Sequence, residues 1–91
     1  MTFEKNNVAA FLELFEERKL LIRHFDGCSH LELWQDAHNE CIFFTYSMWQ
    51  SEQHLDHYRF SALFKDTWTR TKALFAAKPQ AWSVVQKMEV Q

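Results

Sequence analysis

His30 is the side chain in this sequence with the clearest capacity for acid–base chemistry. It lies in an alternating stretch in which Glu32 shares its predicted face. A neutral histidine can remove the proton of an acidic phenol, which makes His30 a candidate catalytic base. A histidine that is held by a neighbouring side chain, or that lies between two subunits, explains the same residue structurally, and both alternatives stay open.

Four other residues are candidates for holding a substrate beside that base. Thr45 offers a polar group and Trp49 an aromatic wall, four residues apart in one apolar stretch. Tyr58 could donate to a substrate oxygen, and Arg59 could hold an enolate or a carboxylate. The structural alternatives are a plug at a strand–helix corner for Trp49, a half-buried ring for Tyr58 and an exposed guanidinium for Arg59.

Metal, thiol and nucleotide chemistry have little support. His54 and His57 share a helix face, but no third metal ligand is indicated. Cys28 follows Gly27 in a strand, where packing explains it better than nucleophilic attack. One glycine in the whole chain excludes a glycine-rich phosphate loop. We therefore expect no cofactor and no metal.

Composition limits the class of protein further. The chain has 91 residues, so we expect one domain over residues 1–91. It is 47% hydrophobic with nine Phe and four Trp, more apolar surface than a small monomer readily hides, which favours a homodimer. A net charge of -2 without a basic run disfavours nucleic acid. No apolar run resembles a membrane span or a leader, and two isolated cysteines suit a reducing compartment, so we expect a cytoplasmic protein that binds no membrane.

The elements that must position these side chains follow the order strand, helix, strand, strand, helix, strand. Gly27 is suited to end the first helix, and Ser51 and Ser61 are suited to cap two pieces of the second. Pro79 is predicted to stop that helix. The predicted ranges are a short strand at 1–3, a helix at 7–24, strands at 28–36 and 40–50, helices from 51 to about 78, and a strand at 81–90.

This order predicts an α+β fold of the ferredoxin-like split βαβ type, an antiparallel sheet with helices on one face. The first strand should lie in the middle of the sheet, yet it has only about three residues against the usual five or six. Either residues further upstream or another segment must fill the gap beside it.

The register of the hairpin decides which candidates share a face. Placing Gln35 opposite Glu40 pairs His30 with Thr45 and Glu32 with Phe43. A slip of one residue would exchange the faces of one strand. In the expected register one face carries His30, Glu32, Phe43, Thr45, Ser47 and Trp49.

Four stretches together resemble the antibiotic biosynthesis monooxygenase family. They are residues 25–33 (Phe-Asp-Gly-Cys-Ser-His-Leu-Glu-Leu), 43–52 (Phe-Phe-Thr-Tyr-Ser-Met-Trp-Gln-Ser-Glu), 58–64 (Tyr-Arg-Phe-Ser-Ala-Leu-Phe) and 81–84 (Ala-Trp-Ser-Val). The resemblance implies a dimeric α+β barrel, in which a second sheet covers the face that the helices leave open. It also implies, for some members, oxygenation of aromatic polyketides or quinols without a cofactor.

The haem-degrading branch of that family is a poorer match. Counting from Trp49, the position of that branch's catalytic Trp is Tyr58, and the position of its haem-ligating His is Trp68. An indole N–H is a donor only and cannot bind iron. We therefore expect a cofactor-independent monooxygenase of an aromatic or quinol substrate. The alternative is a non-catalytic module that binds a small ligand or a protein, and a cavity that reaches His30 would favour the enzyme.

Overall fold

The computed structural model describes all 91 residues and is α+β, as expected. A short 3-10 turn at Lys5–Asn7 leads into the first helix. The remaining elements, in chain order, are α1 (Val8–Arg23), β1 (Cys28–Gln35), β2 (Phe43–Trp49), α2 (Glu52–Arg59) and α3 (Ala62–Lys72). No helix combines the length and the apolar character that crossing a membrane requires.

Local sequence signals account for the helix boundaries near the hairpin. Gly27 has a φ of 88°, a left-handed conformation that suits glycine, and it turns the chain from α1 into β1. The hydroxyl oxygen of Ser51 accepts from the backbone N–H of His54 at 3.2 Å, and that of Ser61 accepts from Phe64 at 3.1 Å. Both predicted N-caps are therefore confirmed.

The predicted end of the last helix is wrong by six residues. α3 ends at Lys72 rather than at Lys78. The chain turns there because Phe75 takes a bridge position opposite Phe3, and its ring packs 5.1 Å from that of Phe3. Burial of this aromatic pair ends the helix before Pro79 is reached.

The first strand is reduced to two isolated bridges, Thr2 with Ile42 and Phe3 with Phe75, both antiparallel. It lies between these two segments, as the ferredoxin-like order requires. The first strand contributes the side chain of Phe3 to the core. Phe3 is 1% exposed and stacks on Phe11 of α1, with ring centroids 4.2 Å apart. Phe43 of β2 completes this aromatic core.

The predicted strand over residues 81–90 is not formed. Every residue from Ala76 to the end is exposed, and none of residues 77–91 lies in a helix or a strand. The physical reason is the absence of a partner strand within the chain, since the segment that pairs with Thr2 and Phe3 lies at residues 74–76.

The predicted hairpin register is also wrong. Gln35 lies opposite Phe43, not Glu40, and the pairs that contain the candidates are His30 with Met48 and Leu33 with Thr45. The hairpin loop is longer than expected because side chains within the loop accept hydrogen bonds from its backbone. A carboxylate oxygen of Asp36 accepts two backbone N–H groups at 2.9 Å, and the amide oxygen of Asn39 accepts a third. The shift is three residues, an odd number, so the faces of one strand are exchanged.

The two faces of the hairpin therefore differ from the expected ones. One face packs on the helices, with Leu33 and Phe43 against Phe11 of α1. A bulge between Cys28 and His30 keeps the buried Cys28 opposite Trp49 on this side. The other face, which we call the open face, carries His30, Glu32, Trp34, Phe44, Tyr46 and Met48.

Candidate functional site

His30 lies in the middle of the open face, with its imidazole held by Glu32. The His30 Nε2 atom is 2.5 Å from a carboxylate oxygen of Glu32. An ionised carboxylate only accepts hydrogen bonds, so Nε2 carries the proton and Nδ1 is left as the basic atom. No hydrogen bond within the chain occupies Nδ1.

Glu32 is itself held from a second side. The indole N–H of Trp34 donates to its other carboxylate oxygen at 2.9 Å. The hydrogen bond from Trp34 and that from His30, in this order, hold the pKa of the Glu32 carboxyl below its ordinary value. Glu32 therefore stays ionised at neutral pH and can stabilise a positive charge on His30.

An aromatic surface adjoins this pair. Trp34 stacks on Tyr46 with ring centroids 5.2 Å apart and an angle of 17° between the planes. The His30 ring meets the edge of Tyr46 at 6.0 Å. A base, its orienting carboxylate and a flat aromatic pair therefore lie side by side, which suits a planar aromatic ligand with an acidic proton.

Thr45 and Trp49 lie on the opposite, helix-facing side of the hairpin. Thr45 is exposed opposite Leu33. Trp49 donates to the hydroxyl oxygen of Ser47 at 3.0 Å, and its ring stacks on Tyr58 at 4.9 Å. The sheet separates both residues from His30, contrary to the register expected from sequence.

Tyr58 is buried in the corner between β2 and α2. Its ring packs edge-on against Phe25 and Phe64, each at 5.2 Å, as well as on Trp49. Burial, with a smaller contribution from the nearby Cys28, raises the pKa of Tyr58 to about 12. Arg59 follows it, exposed, at the end of α2. Tyr58 and Trp49 thus form one cluster, and His30 is not part of it.

The two histidines of α2 have other partners. His54 Nδ1 lies 2.6 Å from the Ser51 hydroxyl oxygen, and its Nε2 lies 3.9 Å from Asp26. His57 packs edge-on against Phe25 at 5.7 Å. The rings of His54 and His57 therefore pack at the junction of α1, β1 and α2.

Two clefts on the surface lie away from all the candidates. One, of about 550 Å³, is lined by Lys5 and the hairpin loop at residues 35–41. The other, of about 290 Å³, lies between α1 and α3. Neither reaches His30 or Trp49, so neither is the cavity at His30 that would favour an enzyme. His30 and Glu32 are instead exposed on the surface of the single chain.

Sequence reasoning missed Trp34 and Tyr46 as members of the site. The alternation of side chains along a strand is enough to place Trp34 in the site, since it lies two residues after Glu32 on the same strand. Tyr46 comes from the other strand, and placing it required the correct register.

Comparison with known proteins identifies the family. The antibiotic biosynthesis monooxygenase model matches residues 1–70. Residues 81–84, the last of the four stretches that resemble the family, lie outside the match. No curated protein matches the chain.

Two solved structures share the fold. A conserved protein from Methanosarcina mazei Go1 has a TM-score of 0.80 at 19% identity, over 85% of this chain and 76% of that one. A candidate antibiotic biosynthesis monooxygenase from Deinococcus radiodurans has a TM-score of 0.81 at 14% identity, over 99% of this chain and 91% of that one. The fold agrees with the family match, and the chain belongs to the antibiotic biosynthesis monooxygenase family.

Proposed function

We propose that this protein is a cofactor-independent monooxygenase that acts on an electron-rich aromatic or quinol. The observation that carries the proposal is the His30–Glu32 pair beside the stacked rings of Trp34 and Tyr46. Family membership supports the reaction class, and the substrate is inferred from the chemistry of the open face.

The reaction begins with proton transfer to Nδ1 of His30. An anthrone, a phenol-like ring system with an acidic CH2 group, is a suitable substrate because its anion is delocalised. Glu32 stabilises the imidazolium that forms, which is the usual contribution of a carboxylate hydrogen-bonded to a catalytic histidine. Trp34 and Tyr46 hold the flat ring.

The anion then reduces oxygen directly. A carbon–oxygen bond forms between the deprotonated carbon and O2, and the proton held by His30 passes to the peroxide. The hydroperoxide loses water, so the CH2 group becomes a carbonyl group. One oxygen atom stays in the product and the other leaves in water. The substrate supplies all four electrons, and no cofactor is required for the balance.

Oxygen uptake tests this proposal. The full chain, in buffer treated with a chelator, is mixed with an anthrone or with menadiol, and uptake is compared with buffer alone. We expect uptake above the buffer rate and a loss of about 10²-fold in His30→Ala, the usual contribution of a general base. His38→Ala, which changes an exposed loop histidine, is the matched control. Uptake equal to buffer, or equal in His30→Ala and the parent protein, would refute the proposal.

The second candidate function is binding without turnover on the helix-facing side. Thr45, Trp49, Tyr58 and Arg59 are its substrate-binding candidates. The observation that favours this function is that the sheet separates Thr45 and Trp49 from His30, while Tyr58 stacks on Trp49. Quenching of tryptophan fluorescence by menadione tests it. Loss of quenching in Trp49→Leu but not in Trp34→Leu would favour this second function, and the reverse would favour the open face.

We also propose that the protein is a cytoplasmic homodimer. The open face exposes Trp34, Phe44 and Met48 to 48%, 45% and 48%. Three large apolar side chains on one sheet face are typical of an interface, and a second copy of the sheet fits the family's barrel. The proposed site at His30, Trp34 and Tyr46 then lies between the two sheets, where the ligand is enclosed. The two free thiols, Cys28 and Cys41, support a reducing compartment.

A further inference from the structure

The charges of this chain are unevenly distributed along its sequence. Residues 24–58, which contain the hairpin and nearly all of α2, have no Lys or Arg, although the chain has ten of these cations. The same residues carry six of the chain's twelve carboxylates, at Asp26, Glu32, Asp36, Glu40, Glu52 and Asp56. The part of the chain that forms the hairpin is therefore acidic, and an asymmetry of this kind influences which ligands bind there.

The cations lie on the helices and not on the hairpin. Seven of the ten belong to α1, α2 and α3, which pack on the other face of the sheet. Among these, Arg23 donates to the backbone carbonyl of Cys28 at 2.8 Å, at the start of β1. Lys5 precedes α1 and pairs with Glu40 of the hairpin loop at 3.9 Å. The remaining two, Lys78 and Lys87, lie in the exposed residues 77–91.

Glu32 gives the open face a negative charge that no Lys or Arg neutralises. It is the only carboxylate on β1 or β2, and its ion-pair partner is His30 alone. The hydrogen bonds from His30 and Trp34 fix its position. A ligand that stacks on Trp34 and Tyr46 therefore lies near a fixed carboxylate. A second copy of the same sheet face adds a second Glu32 and no cation.

We propose that the site at His30 takes aromatic substrates that carry no acidic group, and that Glu32 determines this specificity. The inference rests on the function proposed above and narrows its substrates to uncharged phenols, quinols and anthrones. A substrate carboxylate finds no Lys or Arg on the hairpin to replace its hydration. It is also repelled by Glu32, and two like charges about 6 Å apart in a partly exposed site lower the affinity roughly tenfold.

Proton transfer adds to the discrimination. When an uncharged phenol gives its proton to His30, the imidazolium is paired with Glu32 and the ligand carries one negative charge. An acidic substrate would carry two negative charges at the same moment, beside the same single cation. Glu32 thus acts on the ligand through space, and its contact with His30 serves both effects.

Three ligands with one naphthol ring test the proposal on the full parent chain. They are 4-hydroxy-2-naphthoate, its methyl ester, and the analogue with an aminomethyl group in place of the carboxylate. Equilibrium dialysis near neutral pH measures their dissociation constants without turnover. We expect the ester and the aminomethyl cation each to bind about tenfold tighter than the carboxylate, or more. The cation controls for the general cost of removing a charge from water, so equal binding of cation and carboxylate would overturn the proposal.

Two substitutions assign the effect to one carboxylate. In Glu32→Gln we expect the carboxylate ligand to bind about fivefold tighter than in the parent, or more, because the repulsion is removed. The affinity for the ester should change less than about threefold, since the ester has no charge for Glu32 to repel. Glu40→Gln is the matched control, because Glu40 lies on the hairpin loop beside Lys5, and it should leave the ratio between the ligands unchanged.

The remaining outcomes each contradict the proposal. A ratio of carboxylate to ester affinity that is the same in Glu32→Gln and the parent would overturn it, as would an ester that does not bind. A preference for the carboxylate that is lost in Arg59→Gln would also overturn it, because the ligand would then lie on the helix-facing side. No oxygen uptake is measured, so the expected binding without turnover would reject the monooxygenase and leave this specificity standing.

Discussion

At the scale of single residues, the function proposed for this protein depends on how Glu32 is held. Its carboxylate takes one hydrogen bond from His30 and one from Trp34, so it is fixed in both position and charge. A base whose orienting carboxylate is ionised can accept a proton at neutral pH and retain it until the oxygen chemistry is complete. Glu32 is therefore a positioning residue, and it acts through His30.

Glu32→Gln should lower the oxygenation rate roughly tenfold to a hundredfold, because the amide neither fixes the His30 tautomer nor stabilises its cation. The division between kcat and KM gives the more specific result. Glu32 contacts the base and not the substrate, so Glu32→Gln should lower kcat and leave KM close to that of the parent protein. Glu40→Gln, on the hairpin loop, is the control, and a loss that appears in KM with kcat unchanged would contradict the assigned role.

Glu32 should also contribute to stability with a defined pH dependence. Its folded-state pKa lies below the ordinary 4.5, so its contribution is present above pH 4.5 and is lost as the pH falls through the folded pKa. Urea unfolding midpoints between pH 3 and pH 6 measure this, and the parent protein should lose more stability on acidification than Glu32→Gln. If the unfolding midpoints of the parent protein and of Glu32→Gln fall equally with pH, the hydrogen bonds to Glu32 do not form.

Tyr58 gives a prediction at the alkaline end. Its folded-state pKa of about 12 exceeds the ordinary 10.0, so its contribution to stability is complete below pH 10 and is lost as the pH rises towards 12. Tyr58→Phe should remove this loss, which amounts to roughly 1 kcal/mol between pH 9 and pH 11. Denaturant unfolding at pH 9 and pH 11 measures it, with Tyr46→Phe, on the open face, as the control. A loss as steep in Tyr58→Phe as in the parent would count against the burial of this hydroxyl.

At the scale of elements, the junction of α1, β1 and α2 is the most constrained part of the chain. Gly27 has a left-handed backbone, and its Cα faces the side chain of His54 so closely that a Cβ would overlap it. His54 is in turn fixed by Ser51, the N-cap of α2. One glycine and one capping serine therefore set the angle between hairpin and helix, and with it the position of the Trp49–Tyr58 cluster.

Gly27→Ala should destabilise the protein by roughly 2 kcal/mol or more, since the left-handed conformation alone costs about 1–2 kcal/mol. Thermal unfolding followed by circular dichroism measures this. In the double variant Gly27→Ala, His54→Ala the overlap with the ring atoms is relieved, while the overlap with the Cβ of residue 54 and the backbone cost both stay, so only a small part of the loss should return. A midpoint for Gly27→Ala equal to that of the parent would show that the overlap does not exist.

The elements also show which features of the fold are predictable. The caps at Ser51 and Ser61 and the turn at Gly27 are local, since each depends on residues within one turn of chain, and sequence placed all three. The register of the β1–β2 hairpin, in contrast, does not follow from neighbouring residues alone. It depends on Asp36 and Asn39 binding the loop backbone, and a loop lengthened by three residues exchanges the faces of one strand.

At the scale of the whole molecule, the same distinction between local and non-local signals explains the candidate site and residues 81–90. His30, Glu32 and Trp34 share a face whatever the register, so the base and its carboxylate were predictable from one strand. Thr45 and Trp49 were placed beside them only through the register, and they lie across the sheet. The alternation at residues 81–90 predicts a strand, but residues 74–76 take the place beside Thr2 and Phe3, so this strand does not form in the single chain.

The most direct test of the central claim, that His30 and Glu32 drive oxygen insertion without a cofactor, is the fate of 18O2. The metal-stripped full chain is incubated with an anthrone under 18O2, quenched at once, and the product is analysed by mass spectrometry. The account predicts one 18O atom per product molecule, and product at the level of buffer alone in His30→Ala. Product without 18O, or equal labelled product in His30→Ala and the parent protein, would contradict it.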